Sequence, residues 1–272
     1  MSKTEEEAYI ASLPPVIQAR IKVACGRDNE AGHVILLHDM EGAMIGTAKF
    51  TYVVEPKDPN VLKDVKGPTY SRVKYGEKVK LTENQKLETV VVSVYESSRC
   101  IDELAKTFTP NADELDKDET PEDRAYMDAM EWFDYNTKRS LPYLHECAPV
   151  MYDAFEPGER DDKLEESEVG GIIPEFPREA MIGIVDSMDA GTPDPDCSLI
   201  PDPECSMQVD TVPVYEYGKC VELMKAQFGD DTEKKIDEIL SKWVKDGKPE
   251  PMMVLAFDDM RDGLFSDAKQ GE

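Results

Sequence analysis

Apolar and polar positions alternate in short runs through the first hundred residues and recur at three- and four-residue spacing in the last sixty. HVILLH (33–38), AKFTYVV (48–54), YSRVKY (70–75), KVKL (78–81) and LETVVVSVY (87–95) are rich in β-branched and aromatic residues, so each predicts a strand. Glu41-Gly42, Pro56 to Pro59 and Gly76-Glu77 supply the turns between them. Ahead of these runs, Ser12 reads as an N-cap with Pro14 and Pro15 in the first turn. Val16, Ile17, Ile21 and Ala24 form one face, and Gly26 marks the stop, which predicts a helix over 14–25.

Ser97 or Ser98 caps an expected helix to about Phe108. Thr120, Pro121 and Asp123 spell a capping box that starts a longer one toward Lys138. Tyr126, Met130, Trp132 and Phe133 lie at helical spacing on it and are assigned to the core, and a further helix is expected over 141–155. AMIGIV (180–185) has the composition of a buried strand. Tyr217, Val221, Met224 and Phe228 stripe a helix that Gly229 ends. A second, begun by Asp231 or Thr232, buries Ile236, Ile239, Leu240 and Trp243 and stops at Gly247, and MMVLAF (252–257) gives a last strand. Strands and helices alternate without a βαβ succession. The expected class is therefore α+β, with a mostly antiparallel sheet in the N-terminal part and helices in the middle and C-terminal parts.

Charge changes this picture most. Residues 101–212 hold 30 acidic against 8 basic side chains, a net of −22 out of −27 for the chain, while the first hundred residues are neutral. Three segments follow: 1–109, a neutral β-rich body with an N-terminal helix; 110–212, an acidic helical and loop region; and 213–272, a helix pair and strand packing on the body. The surplus concentrates in two connectors. Asp113, Glu114, Asp116, Asp118 and Glu119 lie in TPNADELDKDETPED (109–123), and Asp161, Asp162, Glu165, Glu166 and Glu168 in the stretch 156–178. Such a face draws cations and repels phosphate, so a basic protein surface is the expected partner and direct contact with nucleic acid is not.

Candidate chemistry is thin. The repeat Pro193-Asp194-Pro195-Asp196-Cys197-Ser198, then Pro201-Asp202-Pro203-Glu204-Cys205-Ser206, places Cys197 and Cys205 as weak metal ligands, but their Cys-x7-Cys spacing is not that of a zinc knuckle. Six cysteines spread over 272 residues make no disulfide framework. His33 and His38 fall on opposite faces of one expected strand. His145 stands two residues from Cys147, the wrong offset for a helical dyad. Phosphate-loop, dinucleotide, nucleophile-elbow and zinc-protease motifs are missing. Asp258-Asp259-Met260-Arg261-Asp262-Gly263 opens like a calcium loop, yet Met260 and Lys269 occupy positions that require carboxylates.

YIASLPPVIQARI (9–21) resembles the entry to the long helix of the nucleosome assembly protein family, and IPEF (173–176) a second short phrase of it. That family continues into an uninterrupted helix, whereas Gly26, Asn29 and Gly32 stop this one, so no residue role is carried over.

No catalytic residue and no cofactor is nominated. The expected function is a non-catalytic structural or interaction protein, a subunit of a larger assembly such as a viral or phage particle, that presents an acidic surface to a basic partner or to other subunits. An acidic mimic occupying a nucleic-acid-binding surface is the alternative, and an enzyme of unrecognised family a further one. With no run of about 18 apolar residues and an acidic start, MSKTEEEAYIASLPP, the expected location is the cytoplasm or a particle assembled there, without membrane contact.

Overall fold

The computed structural model describes residues 3–27, 34–55, 69–110, 115, 119–155, 160, 164, 169–186 and 211–264. Its strands are β1 (Met44–Glu55), β2 (Thr69–Val73), β3 (Lys86–Glu96), β4 (Val150–Ala154), β5 (Met181–Asp186), β6 (Thr211–Glu216) and β7 (Met252–Ala256). They run in the order β2-β1-β3-β4-β5-β6-β7, and β7 pairs back onto β1, so six strands close a barrel with β2 attached to β1 outside the ring. The helices are α1 (Lys3–Ser12), α2 (Pro15–Arg27), α3 (Ser97–Ala105), α4 (Pro121–Trp132), α5 (Tyr217–Phe228), α6 (Thr232–Lys245) and α7 (Asp258–Leu264). The class is α+β, and the sheet extends beyond the N-terminal part, with four of its strands coming from residues 150–256.

The barrel consists of two copies of one ββααβ unit. In the first, β1 and β3 are antiparallel, α3 and α4 follow, and β4 returns parallel to β3. In the second, β5 and β6 are antiparallel, α5 and α6 follow, and β7 returns parallel to β6. Even the registers repeat. Met44 opposes Tyr95 and Gly46 opposes Val94, with a bulge between, just as Met181 opposes Tyr215 and Gly183 opposes Val214 around a second bulge. Glu96 faces Tyr152 across β3–β4, and Glu216 faces Val254 across β6–β7. The seams between copies match as well: Gly46 pairs Ala256 on β1–β7, and Gly183 pairs Ala154 on β4–β5. Phe257 N–H donates to Ile45 O at 2.9 Å, and Phe155 N–H to Ile182 O at 3.2 Å.

Sequence follows geometry here. Val92-Ser93-Val94-Tyr95-Glu96-Ser97-Ser98-Arg99-Cys100 corresponds to Val212-Pro213-Val214-Tyr215-Glu216-Tyr217-Gly218-Lys219-Cys220. Ala43-Met44-Ile45-Gly46 corresponds to Ala180-Met181-Ile182-Gly183, and Ala154-Phe155 to Ala256-Phe257. This repeat is longer than the Pro-Asp-Pro one, which falls within 187–210, outside the described residues.

Period-two alternation then divides the core. Val212 and Val214 join Val92, Val94, Ile182, Val185, Met252 and Val254 in the cluster that fills the barrel. Tyr215 and Met181 point the other way and pack with Cys220, Met224, Ile236 and Leu240 under α5 and α6.

Several expectations change. HVILLH is no strand: residues 34–40 cross over the sheet, where Leu37 N–H donates to the Tyr95 hydroxyl (3.1 Å) and Ser93 Oγ donates to Ile35 O (2.7 Å). Its polar groups are met by side chains rather than by a ladder. KVKL has no ladder pairing among the described residues. The helix expected over 141–155 is a 3-10 segment, Lys138–Cys147, followed by β4, because Pro149 forces the preceding residue out of the helical region. β6 is not among the expected strands, and it carries Pro213 within the ladder, opposite Ile184. On β2, Arg72 is stacked over the Phe50 ring at 4.2 Å, and burial lowers its pKa.

Candidate interaction face

α4 starts where the sequence says it must. Asp123 N–H donates to Thr120 Oγ1 (3.1 Å), Thr120 N–H donates to Asp123 Oδ2 (3.3 Å), and Pro121 occupies the first turn. Ala125 and Ala129 turn inward with Phe133, and the small alanines bring the helix close to its support. The chain then changes pitch. Phe133–Thr137 is a π turn, a feature concentrated at functional sites. It buries Phe133 and Thr137 four residues apart and leaves Asp134, Tyr135 and Asn136 exposed between them.

The outer side of this segment carries large apolar groups in water. Trp132 is 42% exposed and Tyr135 65%, against 0% for Phe133, so the expected core assignment of Trp132 is corrected. Tyr126 is likewise exposed. The spacing itself explains why: the inward row is Ala125, Ala129, Phe133, and Trp132 stands outside it. Trp132 and Tyr135 line an open depression of about 640 Å³ together with Phe108, which lies just beyond the end of α3.

Carboxylates rim that depression. Asp128 is paired with Arg124 Nε at 2.9 Å, and Asp134 with Lys138 Nζ at 3.6 Å. Glu131 also lines it and has no ionic partner among the described residues. The single cation on the wall, Arg139, lies over the Tyr135 ring at 4.8 Å. The lining combines aromatic rings with carboxylates.

A second group of carboxylates is already occupied. Glu96 and Glu216 end the rows Val92-Val94 and Val212-Val214, so both stand at one mouth of the barrel. Glu96 Oε2 meets Arg99 Nε at 2.7 Å and Oε1 accepts from Ser98 Oγ at 3.1 Å. Glu216 caps α5 by accepting from the Gly218 and Lys219 N–H groups, and Arg261 Nη2 lies at 3.4 Å. Gly218 leaves room for the Arg261 side chain, whose guanidinium carbon would stand 2.8 Å from a Cβ there and would have to shift. Glu216 thus closes a helix end, whereas the Glu96 side chain makes no cap bond to α3 and is held by the Arg99 and Ser98 side chains.

Of the ten acidic residues expected to bind a partner, Glu119 is described: it is half-buried and precedes the Thr120 cap. Asp113, Glu114, Asp116, Asp118, Asp161, Asp162, Glu165, Glu166 and Glu168 lie outside the described residues, as do Cys197 and Cys205. The side chains of His145 and Cys147 are outside them too. His38 stacks on Tyr9 at 4.5 Å, and Tyr9 donates to the Glu41 carboxylate, a contact that holds α1 to the body. Cys100 and Cys220 are buried thiols, and burial pushes Cys220 up to about 12, the opposite of a reactive thiolate. No group of three or more metal-ligating side chains occurs among the described residues, and no described helix is long and apolar enough to cross a membrane. No family model, curated protein or solved structure matches the chain.

Proposed function

We propose that this is a non-catalytic interaction protein, a subunit of a larger assembly that presents an acidic surface to a basic partner. The observation that carries the reading is the outer face of α4 and its π turn, where Trp132 and Tyr135 stand exposed beside Asp128, Glu131 and Asp134. Exposed aromatic groups framed by charge are the composition of a protein-binding patch. The acidic connector begins at Thr109, next in the chain to Phe108 on the wall of the same depression. Like-charge repulsion steers nucleic acid away from such a face.

The test is titration of the full-length protein with fluorescent octalysine and octaarginine peptides across a salt series. Binding is expected to weaken at least tenfold between about 50 and 500 mM NaCl, because screening shortens the reach of surface charge from ~14 to ~4 Å. Affinity that stays constant over that range, or no binding at low salt, removes the proposal.

A further inference from the structure

We infer that the depression between Phe108, Trp132 and Tyr135 is a receptor for an arginine side chain of the basic partner, built by elaboration of the first of the two ββααβ copies. The inference rests on the reading above and adds the chemical group that enters.

The repeat provides an internal control. What both copies share is scaffold: bulges, glycine seams, the glutamate at the strand end and the buried cysteine recur in each. What only the first copy has is excess chain. Fifteen residues, 106–120, separate α3 from α4, whereas Gly229–Asp231 alone separates α5 from α6. A π turn and a 3-10 segment, Phe133–Cys147, lie between α4 and β4, whereas α6 reaches β7 through 246–251. The second copy completes its ββααβ unit without these additions, so the unit does not demand them. Both additions border the depression: Phe108 belongs to the first, and Asp134, Tyr135 and Arg139 to the second. Phe108 and its counterpart Phe228 both pack against the core of their copy, and Phe108 in addition lines the depression.

The lining selects the ligand. Aromatic faces attract a cation through their quadrupole, and indole does so most strongly. Asp128 and Asp134 are paired with Arg124 and Lys138, which leaves Glu131, with no ionic partner among the described residues, as the carboxylate for an entering cation. A guanidinium fits better than an ammonium because it is planar, weakly hydrated and stacks while still donating to carboxylates. Arg139 over Tyr135 already shows that stacking within the chain.

The experiment uses the full-length protein, octaarginine and octalysine as probes, and the substitutions Trp132→Ala and Tyr135→Ala. Both side chains are exposed, so circular dichroism and the urea midpoint report whether the fold survives. Each substitution is expected to weaken octaarginine binding by about fivefold, the loss of one cation–π contact at a partly exposed site, and octalysine by less than about twofold. If both peptides bind with strong salt dependence yet neither substitution changes octaarginine affinity, the depression is not the receptor, while the acidic-surface reading stands. Equal losses for the two peptides overturn the choice of guanidinium. Should neither peptide bind the unaltered protein, the underlying reading fails and the inference with it.

Discussion

Gly46 and Gly183 are the two residues on which barrel closure turns. Each sits beside a bulge on the first strand of its copy, at the point where that copy meets the other. A Cβ at position 46 would stand 2.7 Å from the Ala256 Cα and closer still to the Leu255 carbonyl oxygen; one at 183 would stand 2.7 Å from the Tyr152 ring and closer to the Asp153 oxygen. Because the obstacle at each site includes backbone of the neighbouring strand, a rotamer change does not relieve it. Gly46→Ala and Gly183→Ala are each expected to cost about 1–3 kcal/mol, the range for forcing a methyl into a packed site. Similar falls in urea midpoint for the pair would support the equivalence of the two seams. A midpoint unchanged in either variant would show that its seam opens more easily than the registers imply.

At the scale of elements, local chemistry is legible and distant pairing is not. The capping box of α4, the stop of α5 at Gly229 and the span of α6 follow from neighbouring residues, and the structure has them. β4 lies where the sequence predicts a helix end and β6 where it predicts no strand, since both are strands only because β3, β5 and β7 lie beside them. The Val-x-Val-Tyr-Glu repeat is visible in the chain once its partner is known. Unequal connectors of 106–120 and Gly229–Asp231 hide any fixed period. Trp132 was assigned to the core for its bulk, although Ala125, Ala129 and Phe133 define the inward row that excludes it. The local device also has a measurable worth. Thr120→Ala removes the hydroxyl that accepts from Asp123 N–H and is expected to lower stability by about 1 kcal/mol. Denaturant titration checks this, and octaarginine affinity at fixed salt is expected to stay within about twofold, because the cap lies at the far end of α4 from Trp132.

For the molecule as a whole, the two copies bury the same titratable groups, and this ties both to one alkaline limit. Tyr95 lies on β3 and Cys100 on α3, Tyr215 and Cys220 repeat this on β6 and α5, and burial raises all four above their ordinary values of 10.0 for tyrosine and 9.0 for cysteine. Tyr152 is raised too, by burial first and then by the nearby Glu96 carboxylate. The folded chain therefore keeps these protons at a pH where the unfolded chain releases them. Stability is complete below about pH 9, falls once the unfolded state binds fewer protons than the native state, and continues to fall toward the folded value of about 12 for Cys220. Neither copy closes a ring alone, since β1–β7 and β4–β5 join them, so the loss is expected as one transition rather than two. The urea midpoint should hold steady from pH 7 to 8.5 and drop continuously above 9, with tyrosinate absorbance and far-ultraviolet dichroism changing together at the end point. A midpoint that remains level to pH 11 would mean that these phenols and thiols reach water in the folded protein. Two separate alkaline transitions would mean that the copies are coupled less tightly than their shared seams require.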